Sequence, residues 1–125
     1  MGSEMCIRDR IEVTRIARQV EENTAFTEKL FTTGERAYCD AQKNRAQHFA
    51  ARFAAKEAFF KALGTGWRGG LAFQEIEIVN DELGKPGFKF YGKTQQYLAA
   101  QQLKTVHLSL SHLQNLAVAM VIIEK

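Results

Sequence analysis

Glu57 and Lys61 lie in the stretch FAARFAAKEAFFKALGTG, residues 49–66. Their spacing is one helical turn, in the favourable order for an ion pair. At roughly 100° per residue, Ala46, Phe49, Ala50, Phe53, Ala54, Phe60 and Lys61 share one side of that helix, with Glu57 at its centre. An ionised carboxylate on an apolar stripe is costly to bury unless a cation or metal compensates it. Lys61 alone could do so, or the carboxylate could serve a bound cation. The same helix carries Arg45, Arg52 and Lys56, and Gly64-Thr65-Gly66 follows it. Side-chain cations and free backbone N–H groups together suit phosphate. The plainer alternative is a solvated helix face ending in a glycine cap.

Two further groups carry reactive side chains. Residues 107–112 read H-x-S-x-S-H, which invites a Ser/His hydrolase. There is no nucleophile elbow, and alternating serines suit the polar face of a strand. Asp9, between Arg8 and Arg10, is a lone acid near the start. Cys6 and Cys39 lack metal-ligand spacing and are too few for a disulfide framework, which fits reduced thiols in a cytoplasmic protein.

The elements that must position these residues can be followed along the chain. MGSEMCIRDR shows no clear periodicity. Ile11, Ile16 and Val20 space a short helix over 11–20, with Arg15 and Arg18 on its polar side. FTEKLF is a further turn, and Thr32 with Glu35 forms a capping-box pattern opening a helix through residue 42. Residues 45–63 are the long helix, which Gly64 stops. FQEIEIV alternates as a strand, NDELGKPG is a turn, and FKFY is a short strand. KTQQYLAAQQL is helical, with Tyr97 and Leu98 inward. TVHLSLSH sets Val106, Leu108 and Leu110 on one face and His107, Ser109 and Ser111 on the other, and LAVAMVIIE pairs with it as a hairpin. Helices first, then strands with one inserted helix, predict an α+β fold of helices packed on an antiparallel sheet.

A chain of 125 residues, 46% hydrophobic, suits one domain with one core. The net charge of +3 fits an acidic partner or phosphorylated ligand. No aromatic-interleaved basic stripe points to nucleic acid. No run of about 18 apolar residues predicts a membrane span, and no apolar h-region predicts secretion.

Taken together, R-F-A-A-K-E-A-x-x-K-A-L-G-T-G, D-x-x-G-K-P and H-x-S-x-S-H resemble the small holo-[acyl-carrier-protein] synthase family of 4′-phosphopantetheinyl transferases, in order and spacing from Ile11 to Glu124. The resemblance implies a 4′-phosphopantetheinyl transferase-like fold over residues 11–125. It implies transfer of 4′-phosphopantetheine from coenzyme A to a serine of apo acyl carrier protein, for fatty acid biosynthesis. It further implies Mg²⁺ on Asp9 and Glu57, with Lys61 assisting catalysis. Arg45, Arg52 and Lys56 would contact the nucleotide phosphates. Gly64, Thr65, Gly66, Lys85, Pro86, His107 and Ser109 would shape the coenzyme A pocket, and Arg15 and Arg18 would dock the acidic carrier. Family members are homotrimers with sites between subunits. Residues 1–10 differ from the family's short apolar, Gly-containing opening strand, although Asp9 and Glu12 keep its register. The competing expectation is a module that binds coenzyme A or a nucleotide without catalysis.

Overall fold

The computed structural model describes residues 4–64 and 72–124. Thr65, Gly66 and the rest of the Gly-rich stretch lie outside them. In chain order the elements are β1 (Glu4–Glu12), α1 (Val13–Glu22), α2 (Thr24–Leu30), α3 (Thr33–Asp40) and α4 (Arg45–Leu63). Then come β2 (Ile76–Asn80), β3 (Pro86–Phe90), α5 (Gly92–Ala100), β4 (Thr105–His112) and β5 (Leu116–Glu124). All strand pairing is antiparallel, in a three-stranded sheet of order β1-β5-β4 and a β2–β3 hairpin. This is the α+β class that the element order predicts, with the strands divided between two sheets.

The first ten residues depart from expectation. Glu4–Glu12 forms β1 along the whole of β5, pairing Glu4 with Glu124 and Glu12 with Leu116. The reason is period 2: Ile7 and Ile11 face inward while Cys6, Arg8 and Arg10 are exposed. Asp9 occupies an inward slot between the two isoleucines, which hides the alternation. Helix α1 consequently starts at Val13, after the strand. FQEIEIV also changes character, because Phe73–Glu75 is a 3-10 turn before β2. There the Glu75 carboxylate accepts from the backbone of Ala72 and Lys93.

Helix α4 is the axis of the molecule. It spans the predicted residues and ends at Gly64, whose φ of 77° is the left-handed cap that favours glycine. Its burial is broader than a one-sided stripe. Ala51, Ala55, Ala58 and Phe59 are buried along with Phe49, Ala50, Ala54 and Phe60, while Glu57 is half-buried and Lys61 exposed. The three-stranded sheet covers one side through Ala117, Ala119, Val121 and Ile123. On other sides lie α1, α3 and the β2–β3 hairpin. Phe59 meets Phe88 and Phe90 of β3 at ring-centre distances of 5.3 and 5.1 Å. Phe31 packs edge-on against Phe49 at 4.9 Å.

The capping box opens α3 as its sequence predicts. Glu35 N donates to Thr32 Oγ1 at 3.1 Å, and Thr32 N donates to Glu35 Oε1 at 2.9 Å. Cys39 is fully buried on this helix, and burial pushes its thiol up to about 12, so it is inert at neutral pH. No helix among the described residues is long and apolar enough to cross a membrane.

Candidate active site

Strand β1 brings Asp9 against α4. Asp9 Oδ1 accepts from Lys61 Nζ at 3.1 Å, while Asp9 Oδ2 is buried with no hydrogen-bond partner. Glu57 lies beside the same carboxylate. Burial raises its pKa most, and the adjacent Asp9 carboxylate raises it further, against the opposing charges of Lys61 and Arg15. Asp9, Glu57, Lys61, Arg10, Glu12 and Arg15 line a cleft of about 490 Å³, floored by Ile11 and Leu116.

Two adjacent carboxylates repel unless a proton or cation lies between them. An orphaned buried oxygen, a second acid and an open cleft are hard oxygen donors with room for other ligands. That is the form of a Mg²⁺ site, in which one or two carboxylates share the ion with phosphates and water. Among the described residues no group of three or more His, Cys, Asp or Glu could enclose a metal. Asp9 and Glu57 would supply two carboxylates to such an ion, the remaining positions being open to the cleft. Residues 1–10, for all their lack of clear periodicity, thus place Asp9 against Glu57 and Lys61.

A second cavity, of about 240 Å³, lies at a different part of α4. Tyr38, His48, Arg52, Asn80, Gly84, Pro86 and His112 are among its walls. Arg52 donates to Asn80 Oδ1 at 2.8 Å and its guanidinium lies 4.2 Å from the Tyr38 ring centre, but its Nε is buried without a partner. His48 and His112 stack edge-on at 4.7 Å, and His112 Nδ1 is 2.9 Å from Gln47 Oε1. Burial, then His112, then Arg52 lower the pKa of His48. Sequence reasoning singled out His107 and Ser109 and missed His48 and His112 as wall residues. Strand parity was the available signal: His112 shares the face of Leu108 and Leu110, which points to α4.

The other predicted residues are dispersed. His107 is exposed and pairs with Glu124 Oε1 at 3.1 Å. Ser109 lines an open hollow with Arg8, Val118 and Met120. Neither His107 nor His112 is hydrogen-bonded to Ser109 or Ser111 among the described residues, so the hydrolase reading has no triad geometry. Arg45 pairs with Asp40 at 2.5 Å and lies over Phe49. Lys85 is exposed in the turn, where its backbone N donates to Asp81 Oδ1 at 2.8 Å. Arg18 is exposed on α1.

Lys56 requires a correction. It was expected among the phosphate contacts, yet its side chain is fully buried. Its ammonium donates to Glu35 Oε1 at 2.5 Å, Leu30 O at 2.8 Å and Phe73 O at 2.9 Å. All three donors of the ammonium are thus used inside the fold. Nor is this a solvated helix face: α3 and the 3-10 turn cover α4 at Lys56.

Comparison with known proteins gives the same answer as the motifs. The model of the 4′-phosphopantetheinyl transferase superfamily matches residues 9–121. The holo-[acyl-carrier-protein] synthase of Geotalea daltonii is 52% identical over 118 residues, 94% of each chain. That of Geobacter metallireducens is 51% identical over the same share. The crystal structure of the Neisseria meningitidis holo-[acyl-carrier-protein] synthase superimposes with a TM-score of 0.88 at 35% identity, over 97% of this chain and 98% of that one. The Bacillus anthracis synthase, solved in complex with CoA (3′,5′-ADP), gives 0.79 at 35% identity, over 97% and 96%. By sequence over nearly its whole length and by fold, this chain belongs to the holo-[acyl-carrier-protein] synthase family of 4′-phosphopantetheinyl transferases.

Proposed function

We propose that the Asp9–Glu57 cleft is where this chain transfers 4′-phosphopantetheine from coenzyme A to a serine of apo acyl carrier protein. The observation that carries this reading is the orphaned Asp9 Oδ2 beside Glu57 and Lys61, in a chain of this family. In the reaction the serine oxygen forms a bond to the pyrophosphate phosphorus nearer the pantetheine. The bond from that phosphorus to 3′,5′-ADP breaks, and the serine proton leaves to a base or solvent. Such a transfer needs positioning and charge neutralisation more than covalent help from the protein. Mg²⁺, when held by Asp9 and Glu57, supplies that neutralisation at the pyrophosphate.

The remaining residues act by charge and shape. Lys61 holds Asp9 in place, and its exposed ammonium is free to meet a phosphoryl oxygen. Arg45 and Arg52 are the cations for the nucleotide phosphates, with Gly64, Lys85, Pro86, His107 and Ser109 shaping the pocket. The cavity at Arg52 and the cleft at Asp9 have no wall residue in common. A homotrimer that joins one subunit's cleft to its neighbour's cavity accounts for this separation. The outer face of β5 supports such assembly: Leu116, Val118, Met120 and Ile122 are apolar and only half-buried. The expected result is a trimer in sedimentation at micromolar concentration; a fully active monomer would remove the shared site. A carrier-protein substrate fits a cytoplasmic role in fatty acid biosynthesis.

Mass spectrometry of apo carrier protein incubated with the chain, coenzyme A and Mg²⁺ tests the activity directly. A gain of one phosphopantetheine is expected; coenzyme A binding without that gain would leave only a binding module. Arg15 lines the catalytic cleft and Arg18 is exposed on the same helix, where both can meet an acidic carrier. Arg15→Glu should raise KM for the carrier roughly tenfold while moving that for coenzyme A less, and the wild-type rate should fall with salt. Equal effects on both substrates would count against docking.

A further inference from the structure

Helix α4 must present Glu57 to Asp9, so the rotation of α4 about its own axis decides the shape of the cleft. Buried residues occupy nearly every side of α4, six of them alanines: Ala50, Ala51, Ala54, Ala55, Ala58 and Ala62. Methyl groups alone give no preferred face, so the rotation is left to the larger side chains, the rings of Phe49 and Phe59 and the polar groups of Arg52 and Lys56. At the N-terminus Asn44 makes no side-chain cap bond. One directional contact lies at the residue before Glu57. Lys56 Nζ is held by three oxygens from three segments: Leu30 at the end of α2, Glu35 of α3 and Phe73 of the 3-10 turn. Glu35 is itself fixed by Thr32 N at 2.9 Å and by Ile78 N of β2 at 2.8 Å. The pair has no exposed side-chain surface.

We propose that the buried Lys56–Glu35 pair is a positioning device. It sets the rotation of α4 and so aims Glu57 at Asp9 on the far side of the helix. The proposal rests on the assignment of Asp9 and Glu57 as the metal-binding pair. Consecutive helical residues point roughly 100° apart, so fixing Lys56 fixes the direction of Glu57. Any turn of α4 that separated Lys56 from Glu35 would move the Glu57 carboxylate away from Asp9. A buried ion pair is weak evidence for stability in itself, and selecting one arrangement among several is the role it serves here.

The test separates aim from stability by reading metal binding in folded protein. Glu35→Gln weakens the pair. The double variant Glu35→Gln/Lys56→Met replaces it with neutral side chains of similar volume and leaves no unpaired buried charge. Each is melted to find a temperature at which it is fully folded. There, Mn²⁺, a hard divalent probe for carboxylate oxygen, is titrated and its binding read by water-proton relaxation. Supporting groups around a metal site commonly control about 10–100-fold in affinity. Both variants should therefore bind Mn²⁺ at least roughly tenfold more weakly than wild type while folded. Wild-type Mn²⁺ affinity in the folded double variant would overturn the positioning role. Glu57→Gln serves as the reference: if it binds Mn²⁺ as wild type does, the metal assignment itself fails.

Discussion

Glu57→Gln should reduce phosphopantetheine transfer by roughly 100-fold or more, because metal stabilisation of a transferring phosphoryl group is worth several kcal/mol and about 1.4 kcal/mol is a factor of ten. Raised Mg²⁺ should restore part of the rate, since Asp9 remains as a ligand. Stability should move the other way. In the folded chain the Glu57 carboxyl holds its proton more tightly than in the unfolded chain, through burial first and then Asp9. The folded state therefore binds more protons across the window from the ordinary carboxylate range up to the raised value. Metal-free stability then falls as pH rises through that window. Glutamine removes this slope, so with chelator at neutral pH the variant should melt no lower than wild type. Were Glu57 only a partner for Lys61, the change would cost a few tenths of a kcal/mol and leave transfer intact. Transfer against Mg²⁺ concentration, beside a melt with chelator, separates the two.

Phe59→Ala should be the most damaging change to the fold. Phe59 has no exposed surface and joins α4 to the hairpin through Phe88 and Phe90, with Phe60 beside it at 5.6 Å. Truncating a fully buried phenylalanine costs about 3–5 kcal/mol. A domain of this size has about 5–15 kcal/mol in total, so urea unfolding should show a much earlier midpoint. A loss below about 1 kcal/mol would mean that the hairpin collapses onto α4 without the ring.

The elements with regular patterns were legible in the sequence. Helix α4, β4 and β5 have the predicted bounds, and the capping box at Thr32 and Glu35 forms as its spacing implies. Strand β1 was not legible because Asp9 stands where the alternation calls for an apolar residue. The residue proposed to hold the metal erased the signal of the element that carries it. Lys56 was misplaced for a related reason: a lysine reads as a surface residue until its buried partners are known, and Glu35, Leu30 O and Phe73 O are remote in sequence. Glu57 and Lys61 were placed correctly as helix neighbours, but nothing local in the sequence brings Asp9 to them. That contact depends on β1 lying along β5.

That pairing also orders events in time. Asp9 is opposite Ala119, more than a hundred residues on, and among the described residues β5 is the one strand that pairs with β1. At a synthesis rate of about 5–20 residues per second, β1 must wait on the order of ten seconds on the ribosome before its partner exists. An unpaired apolar strand is a template for wrong pairing during such a wait. Arg8, Asp9 and Arg10 set three successive charges between Ile7 and Ile11, the kind of interruption that discourages aggregation of exposed strands. Such charges would discourage wrong pairing of β1 until β5 is made, and only then can Asp9 be held against Glu57.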